Sequence, residues 1–256
     1  MAQKKVLLTL AIPTFNEEKN IRIPLDSAYD MVDEVLIVDG GSTDKTVEIA
    51  KSYGSKVRIL TVDNPSNFLI NKQRAIDNAK GEWILQLDAD ERLSEELKQE
   101  ISNFKLQSSK LSGYWIPRKN WFLGRYLMKG GVYPDAVLRL YKRDKAHFKL
   151  ANVHENAIVD GNTSWTTNAL EHMADPTFAR YLQRWHRYNT FDAKQLVEKG
   201  EKPCMPCYFV GKPLITFFSI YLRHKGFMDG YQGLVWAFFS SIRYWEIYWK
   251  AGIKNV

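Results

Sequence analysis

An α/β fold, with a mostly parallel sheet and helices on both faces, is what this sequence predicts, and three observations predict it. Short apolar runs alternate with helix-patterned segments from residue 6 to residue 87. The connections between them are short, as strand–helix–strand units require. Three of the apolar runs end in polar clusters: Pro13-Thr14-Phe15-Asn16-Glu17, Asp39-Gly40-Gly41-Ser42 and Asp88-Ala89-Asp90. Ligands in such sheets bind beyond the carboxyl ends of the strands. All three clusters are therefore expected around one crevice.

Taken in order, Val6 to Ile12 is a buried strand that Pro13 closes. Glu17 to Tyr29 is a helix, bent or divided at Pro24. Val35 to Val38 is the second strand, and Ser42 or Thr43 caps the helix that follows through Val47, Ile49 and Ala50. Val57 to Val62 is the third strand. Ser66 to Ala79 is a helix with Phe68, Ile70, Ala75, Ile76 and Ala79 as its apolar positions, ended by Gly81. Trp83 to Leu87 is the fourth strand, and Ser94 to Phe104 a further helix. The pattern then changes. Tyr114 to Ile116 and Val137 to Tyr141 read as strands of a mixed, antiparallel region with aromatic-rich loops. From Phe178 helices dominate, with Phe178, Tyr181, Leu182, Trp185 and Tyr188 at helical spacing. The expected organisation is a ligand-binding half at 1–105, a second half of the same domain at 106–175, and a helical, aromatic and basic region at 176–256. No internal repeat or low-complexity segment is present.

The chain has 256 residues, 45% hydrophobic and 25% charged, which suits a globular protein. Its formal net charge of +7 favours an anionic partner without choosing among nucleic acid, membrane and phosphorylated substrates. The start lacks a signal-peptide core, and no apolar run reaches the roughly 18 residues that span a bilayer. Cys204 and Cys207 lie in a lone Cys-x-x-Cys and read as reduced, non-catalytic thiols of a reducing compartment. Neither the Gly-x-Gly-x-x-Gly dinucleotide fingerprint nor the Walker A motif occurs.

Asp88 and Asp90 carry the clearest chemistry. A buried strand has no reason to finish in two like charges. On an extended chain their side chains point the same way and repel. A divalent cation relieves that repulsion, and hard oxygen ligands suit Mg2+ or Mn2+. Held at a strand's carboxyl end, such a cation clamps a diphosphate.

The runs Pro13-x-Phe-Asn-Glu17, Val38-Asp-Gly-Gly-Ser-Thr-Asp44 and Leu87-Asp-Ala-Asp-Glu91 resemble the nucleotide-sugar motifs of the family 2 glycosyltransferases, which have the GT-A fold. In the second half, Gly130-Gly-Val-Tyr-Pro-Asp135, Leu138-Arg-Leu-Tyr-Lys-Arg143, Val153-His-Glu155 and Gly226-Phe-Met-Asp-Gly-Tyr-Gln-Gly233 look like the bacterial lipopolysaccharide-core beta-glucosyltransferase group. The resemblance implies that Pro13, Thr14 and Glu17 hold the nucleoside and that Asp39, with Gly41, meets the uracil. It puts Lys72 opposite phosphate, with Gln73 where the family often has Asn. Asp88 would lie near the ribose or the metal, and Asp90 would be the principal metal ligand. His172 sits where a late metal-binding histidine occurs, with His154 as its rival.

Sugar transfer needs a neutralised diphosphate, a base for the acceptor hydroxyl, and exclusion of water. No covalent nucleophile is required if the anomeric centre inverts. Glu155 and Asp135 are the two candidates for the base. The bland alternative is that they pair with Arg139 or Arg143. Arg118 and Lys119 either reach phosphates or form a solvated basic edge. The Trp and Tyr residues of 114–133 stack on sugars or belong to the core. The aromatic and basic tail, Pro213 to Tyr248, suits an anionic membrane surface or a packed helical pair.

The expected function is therefore an inverting transfer of a sugar, with UDP-glucose as the leading donor, to a lipid-linked glycan of the lipopolysaccharide-core type. Mn2+ or Mg2+ would be the cofactor. The reaction would be cytoplasmic, at the inner face of the inner membrane, with no nucleic-acid partner and with homo-oligomerisation left open. The rivals are a polyprenyl-phosphate sugar synthase, a nucleotidyltransferase and a non-enzymatic basic binding module.

Overall fold

The computed structural model describes residues 7–65, 67–106, 109–150 and 156–252. In chain order the first elements are β1 (Leu8–Thr14), α1 (Arg22–Ala28), β2 (Glu34–Asp39), α2 (Thr46–Lys51), β3 (Val57–Thr61) and α3 (Leu69–Asn78). Next come β4 (Trp83–Gln86), β5 (Glu91–Leu93), α4 (Glu95–Ser102) and β6 (Gly113–Ile116). A hairpin, β7 (Arg118–Phe122) and β8 (Arg125–Leu127), precedes β9 (Val137–Lys142), β10 (Ala146–His147), β11 (Ile158–Val159), β12 (Thr163–Trp165) and β13 (Leu170–Asp175). The last elements are α5 (Phe178–Glu198), α6 (Lys212–Phe218) and α7 (Gly230–Gly252).

The chain divides into two compact units. The first comprises residues up to Arg118 together with Ala136–His172; the second comprises Lys119–Asp135 and the residues from Met173 onward. In the first unit the described residues form a seven-stranded sheet in the order β12-β6-β9-β4-β1-β2-β3. β1 runs parallel to β2 and β4, and β2 to β3, while β9 is antiparallel to β4 and β6. The parallel half and the antiparallel second half both match the expectation. The apolar runs lack alternation because both faces are covered. Leu10, Ile12, Val35, Ile37 and Leu85 pack into one cluster, and Ala11, Leu36, Val38 and Ile84 into another.

Four local expectations are corrected. Pro13 does not close β1, which continues to Thr14. The Ala11 carbonyl accepts from Leu87 on the β4 side. Pro13 faces that same side two residues later, where the β1–β4 pairing has already ended, so its missing N–H removes no ladder bond. Pro24 divides no helix. It is the third residue of α1, within the first turn, where N–H groups have no intrahelical partner. Neither Ser42 nor Thr43 caps α2. The N-cap is Lys45, which makes no side-chain cap bond, and the Thr46 N–H is met by Asp44 Oδ1 at 3.0 Å. Gly81 is not a helix cap either: α3 ends at Asn78, and Gly81 lies against β1. A Cβ at Gly81 would stand 2.7 Å from Thr9 N and Thr9 Oγ1. The predicted start of that helix at Ser66 lies outside the described residues.

In the second unit β7 and β8 form the hairpin, with Asn120 opposite Leu127, and α7 packs against α5 and α6. The expected periodicity from Phe178 is α5, capped by Thr177, whose hydroxyl accepts from Arg180 N–H at 3.3 Å. The 226–233 run is a structural clasp. Asp229, 2% exposed, accepts the N–H groups of Met128 (3.1 Å) and Lys129 (2.7 Å). A Cβ at Gly233 would fall 1.9 Å from the Gly226 carbonyl oxygen. Gly233→Ala is expected to destabilise the protein by about 1–3 kcal/mol through overpacking, read as a lower denaturation midpoint. Cys204 and Cys207 are joined as a disulfide rather than left as thiols. Their Cα atoms, three residues apart at the start of a helical segment, are 5.2 Å apart, the natural i, i+3 spacing. Among the described residues no helix is long and apolar enough to cross a membrane.

Candidate active site

The strand order places β1 between β2 and β4, with the chain leaving β1 towards β2 first and reaching β4 later. That is a topological switch point, and the crevice lies beyond the strands' carboxyl ends. Thr14 and Asp39 stand side by side there, paired in register. Asp39 is only 2% exposed. Its Oδ2 accepts from the N–H groups of Gly41 (3.1 Å) and Ser42 (3.0 Å), and its Oδ1 from the Ser42 hydroxyl at 2.5 Å. Gly41 has φ +81°, a turn conformation that disfavours any side chain. Asn16, also left-handed at φ +55°, donates its N–H to Ser42 Oγ and accepts from Thr43 N–H at 2.8 Å. The loops after β1 and β2 thus clasp each other. Glu17 N–H donates to Thr46 Oγ1 at 2.7 Å, and its carboxylate accepts from Asn20. A carboxylate has about four acceptor sites, and most of Asp39's serve its own loop.

Beyond β4 the chain does not stay extended. It turns, with Glu91 N–H donating to the Asp88 carbonyl at 3.0 Å. Asp88 and Asp90 therefore do not share a face as the extended reading assumed. Asp88 faces cations: Lys72 Nζ at 2.6 Å and Arg139 at 2.5 Å. Arg139 also bonds Glu91 at 2.8 Å, and Arg118 reaches the same Glu91 oxygen at 2.8 Å. Glu91, fully buried, accepts the Asp88 N–H at 3.0 Å through its other oxygen. The result is a chain of charges, Lys72–Asp88–Arg139–Glu91–Arg118, under the turn that carries Asp90.

The titration behaviour follows from this arrangement. Burial works to raise the Glu91 carboxyl, but the Arg139 and Arg118 cations outweigh it and hold it at about 2. Asp88 is likewise held far below the carboxylate range, burial being overcome by Arg139 and Lys72. Burial, with the Arg139 charge, lowers Lys72 from its ordinary value. Lys72 is 6% exposed, and its ammonium serves Asp88. Gln73, beside it, holds Phe148 N–H at 2.8 Å. Arg118 is no solvated edge, and Arg139, which the sequence offered as a partner for Glu155 or Asp135, is committed to Asp88 and Glu91. Arg143 bonds the Ala79 carbonyl at 2.7 Å.

Asp90 meets His172. β13 pairs antiparallel with β5, which sets His172 opposite Glu91 and brings its Nε2 to 3.5 Å from Asp90 Oδ2. Among the described residues no third His, Cys, Asp or Glu completes a cluster with them. A carboxylate oxygen and an imidazole nitrogen are donors that fit Mn2+, or Mg2+ with more water.

Asp135 belongs to the second unit, where it accepts from Asn120 Nδ2 at 3.0 Å. Glu155 and His154 lie outside the described residues. In the same second unit Trp121 packs edge-on against Tyr126 at 4.8 Å. Sequence reasoning assigned no role to Glu91 and treated Arg139 only as a partner. A visible signal existed: an arginine alone in Val137-Leu-Arg-Leu-Tyr141, a strand otherwise fit for burial, requires a buried anion.

Comparison with known proteins agrees with this geometry. The model of the family "Glycosyl transferase family 2" matches residues 9–212. The lipopolysaccharide core biosynthesis glycosyltransferase LpsC of Rhizobium meliloti (strain 1021) is 27% identical over 94% of this chain and 93% of its own. An uncharacterized glycosyltransferase of Rickettsia bellii (strain RML369-C) is 28% identical over 90% of this chain and 82% of its own. Among solved structures, the mannosyltransferase PcManGT of Pyrobaculum calidifontis, in complex with GDP-Man and Mn2+, superposes with a TM-score of 0.52 at 14% identity. The match covers 99% of this chain and 88% of that one. The strand order, the clasped loops at the switch point and the family match over most of the chain make one conclusion: this protein belongs to glycosyl transferase family 2, a glycosyltransferase of the GT-A fold.

Proposed function

We propose that the enzyme is inverting and metal-dependent, and that it moves a sugar, glucose first among the candidates, from a UDP donor to a lipid-linked glycan such as lipopolysaccharide inner core. The observation that carries the reading is Asp90 beside His172, on a turn at the switch-point crevice, with Asp88 neutralised by lysine and arginine. Likeness to LpsC along nearly its whole length supports the acceptor class. In this reading residues 1–105 bind the donor, 106–175 bind the acceptor, and the reaction takes place at the cytoplasmic face of the inner membrane.

The loops at Thr14–Glu17 and Asp39–Ser42 hold the nucleoside, and their mutual hydrogen bonds fix its depth. Asp90 and His172 hold Mn2+ or Mg2+, which when bound neutralises the departing diphosphate. Asp88 orders that turn. Glu155 takes the proton of the acceptor hydroxyl as it attacks the anomeric carbon, with Asp135 the alternative. Direct displacement then inverts the centre without a covalent enzyme intermediate.

The test is turnover of UDP-, GDP- and CMP-sugars with Mn2+, Mg2+ or EDTA. GDP-mannose belongs in the panel because PcManGT shares the fold. Metal-dependent turnover of one UDP-sugar is expected; turnover of a GDP-sugar alone overturns the donor assignment, and no turnover of any overturns the reaction. Glu155→Gln is expected to lower kcat by about 10²- to 10⁴-fold, the range for loss of a general base. Full activity in that variant favours a phosphate acceptor, as in a polyprenyl-phosphate sugar synthase, which needs no such base.

A further inference from the structure

The second unit leaves an unusual surface uncovered. Along the helical segment containing α6, Val210, Leu214, Phe218 and Leu222 recur every fourth residue, and each is more than half exposed. On α7, Tyr231, Leu234, Phe238, Trp245 and Trp249 recur at steps of three, four and seven, and all are exposed. At helical periodicity this set forms one stripe. It is distinct from the α7 face that meets α5, where Trp185 packs on Phe239 and Arg243 pairs with Asp192.

The two stripes join at one end. Phe209 stacks on Trp245 and meets Trp249 edge-on. At the other end Phe218, Phe217, Tyr221 and Phe227 form an unbroken series of ring contacts. The surface is joined across the two helices at one end and aromatic at both.

Its charge is one-sided. Arg223 and Lys225 are exposed next to Leu222 in the chain, and Lys212 is exposed with its ammonium over the Tyr208 ring at 3.7 Å. Between residues 205 and 252 the acids are Asp229 and Glu246. Asp229 is buried in the clasp with Met128 and Lys129, and Glu246 is engaged by Asn189, His186 and Lys250. What the face shows outward is apolar and cationic.

We infer that this face of α6 and α7 docks on an anionic lipid bilayer, lying in the headgroup layer without crossing it. Apolar stripes with aromatic ends and flanking cations are the physical signature of interfacial helices. A second copy of the chain fits less well, because a self-complementary contact would bring like cations together. The inference rests on the reading above, which puts the reaction at a membrane, and names the face that docks; vesicle binding and donor turnover are read separately, so either can fail alone.

The test uses the full chain with vesicles of phosphatidylcholine, alone or with roughly one third phosphatidylglycerol. Binding to the anionic vesicles is expected, about tenfold or more tighter than to neutral ones and weakened by salt. Brominated acyl chains should quench tryptophan emission, with less quenching in Trp249→Phe. Leu214→Glu with Phe218→Glu, both at exposed positions, should abolish binding while leaving donor turnover in solution and the circular dichroism spectrum unchanged. Absence of vesicle binding by the folded wild type overturns the inference. So does a solution dimer that the double substitution converts to monomer without any effect on vesicle binding.

Discussion

Asp90→Ala is expected to lower turnover of the nucleotide-sugar donor by about 10³-fold, the scale set by removing one preorganised group that stabilises developing charge. Asp90 is partly exposed, with 23% of its side chain open, and it stands outside the buried charge chain. Its loss should therefore move stability by no more than roughly 0.5 kcal/mol, as is usual for surface positions. The deficit belongs to the charged transition state, so it should appear in kcat rather than in nucleotide affinity alone. His172→Ala is expected to do less: a weaker apparent affinity for Mn2+, with rate recovered as the metal concentration rises. In the proposed reading the imidazole would supply one ligand and the diphosphate others. Rates equal to wild type for Asp90→Ala, with wild type itself insensitive to EDTA, would remove the metal from the mechanism.

How much of this site could be read in the chain depends on how local its cause is. Strand ends were legible because apolar runs of β1, β2 and β4 stop abruptly at polar residues, and the parallel sheet then brings those ends together without further instruction. The clasp between Asn16 and Ser42–Thr43 was not legible. It needs two left-handed residues from separate loops to meet, and sequence spacing does not report that. Lys72 illustrates the same limit. Its position in the motif pointed to phosphate, but which anion an ammonium meets is decided by the turn after β4 and by Arg139 on the distant β9. The aromatic tail showed helical periodicity plainly. Which face would be covered depended on α5 packing along one side of α7, a tertiary choice invisible in the spacing itself.

Arg139→Met is expected to destabilise the protein by about 3 kcal/mol, because breaking a buried ion pair strands its partner. That is a fall of roughly 6–12 °C in Tm for a chain of this size. Arg139 is 6% exposed and holds two carboxylates at once, one of them fully buried. The pH dependence carries the sign of the effect. Glu91 and Asp88 have folded-state values depressed below their ordinary ones. Their pairing therefore stabilises the native state fully above about pH 5, where the unfolded carboxylates are also ionised, and is lost as pH falls towards 2. The gap between wild type and Arg139→Met should accordingly be widest near neutrality and narrow from about pH 4 downward. A gap that widens on acidification would mean that Arg139 does not ionise this pair. Replacing Glu91 as well, as Glu91→Leu with Arg139→Met, should recover part of the stability, since it removes the orphaned buried carboxylate while Arg118, less deeply buried, gives up its Glu91 oxygen. It should not recover activity. Glu91 also accepts the Asp88 N–H at 3.0 Å, and without that bond the turn that aims Asp90 is no longer held. A stable but slow double variant would separate the two tasks of this charge chain, balancing its own burial and positioning the residue at its surface.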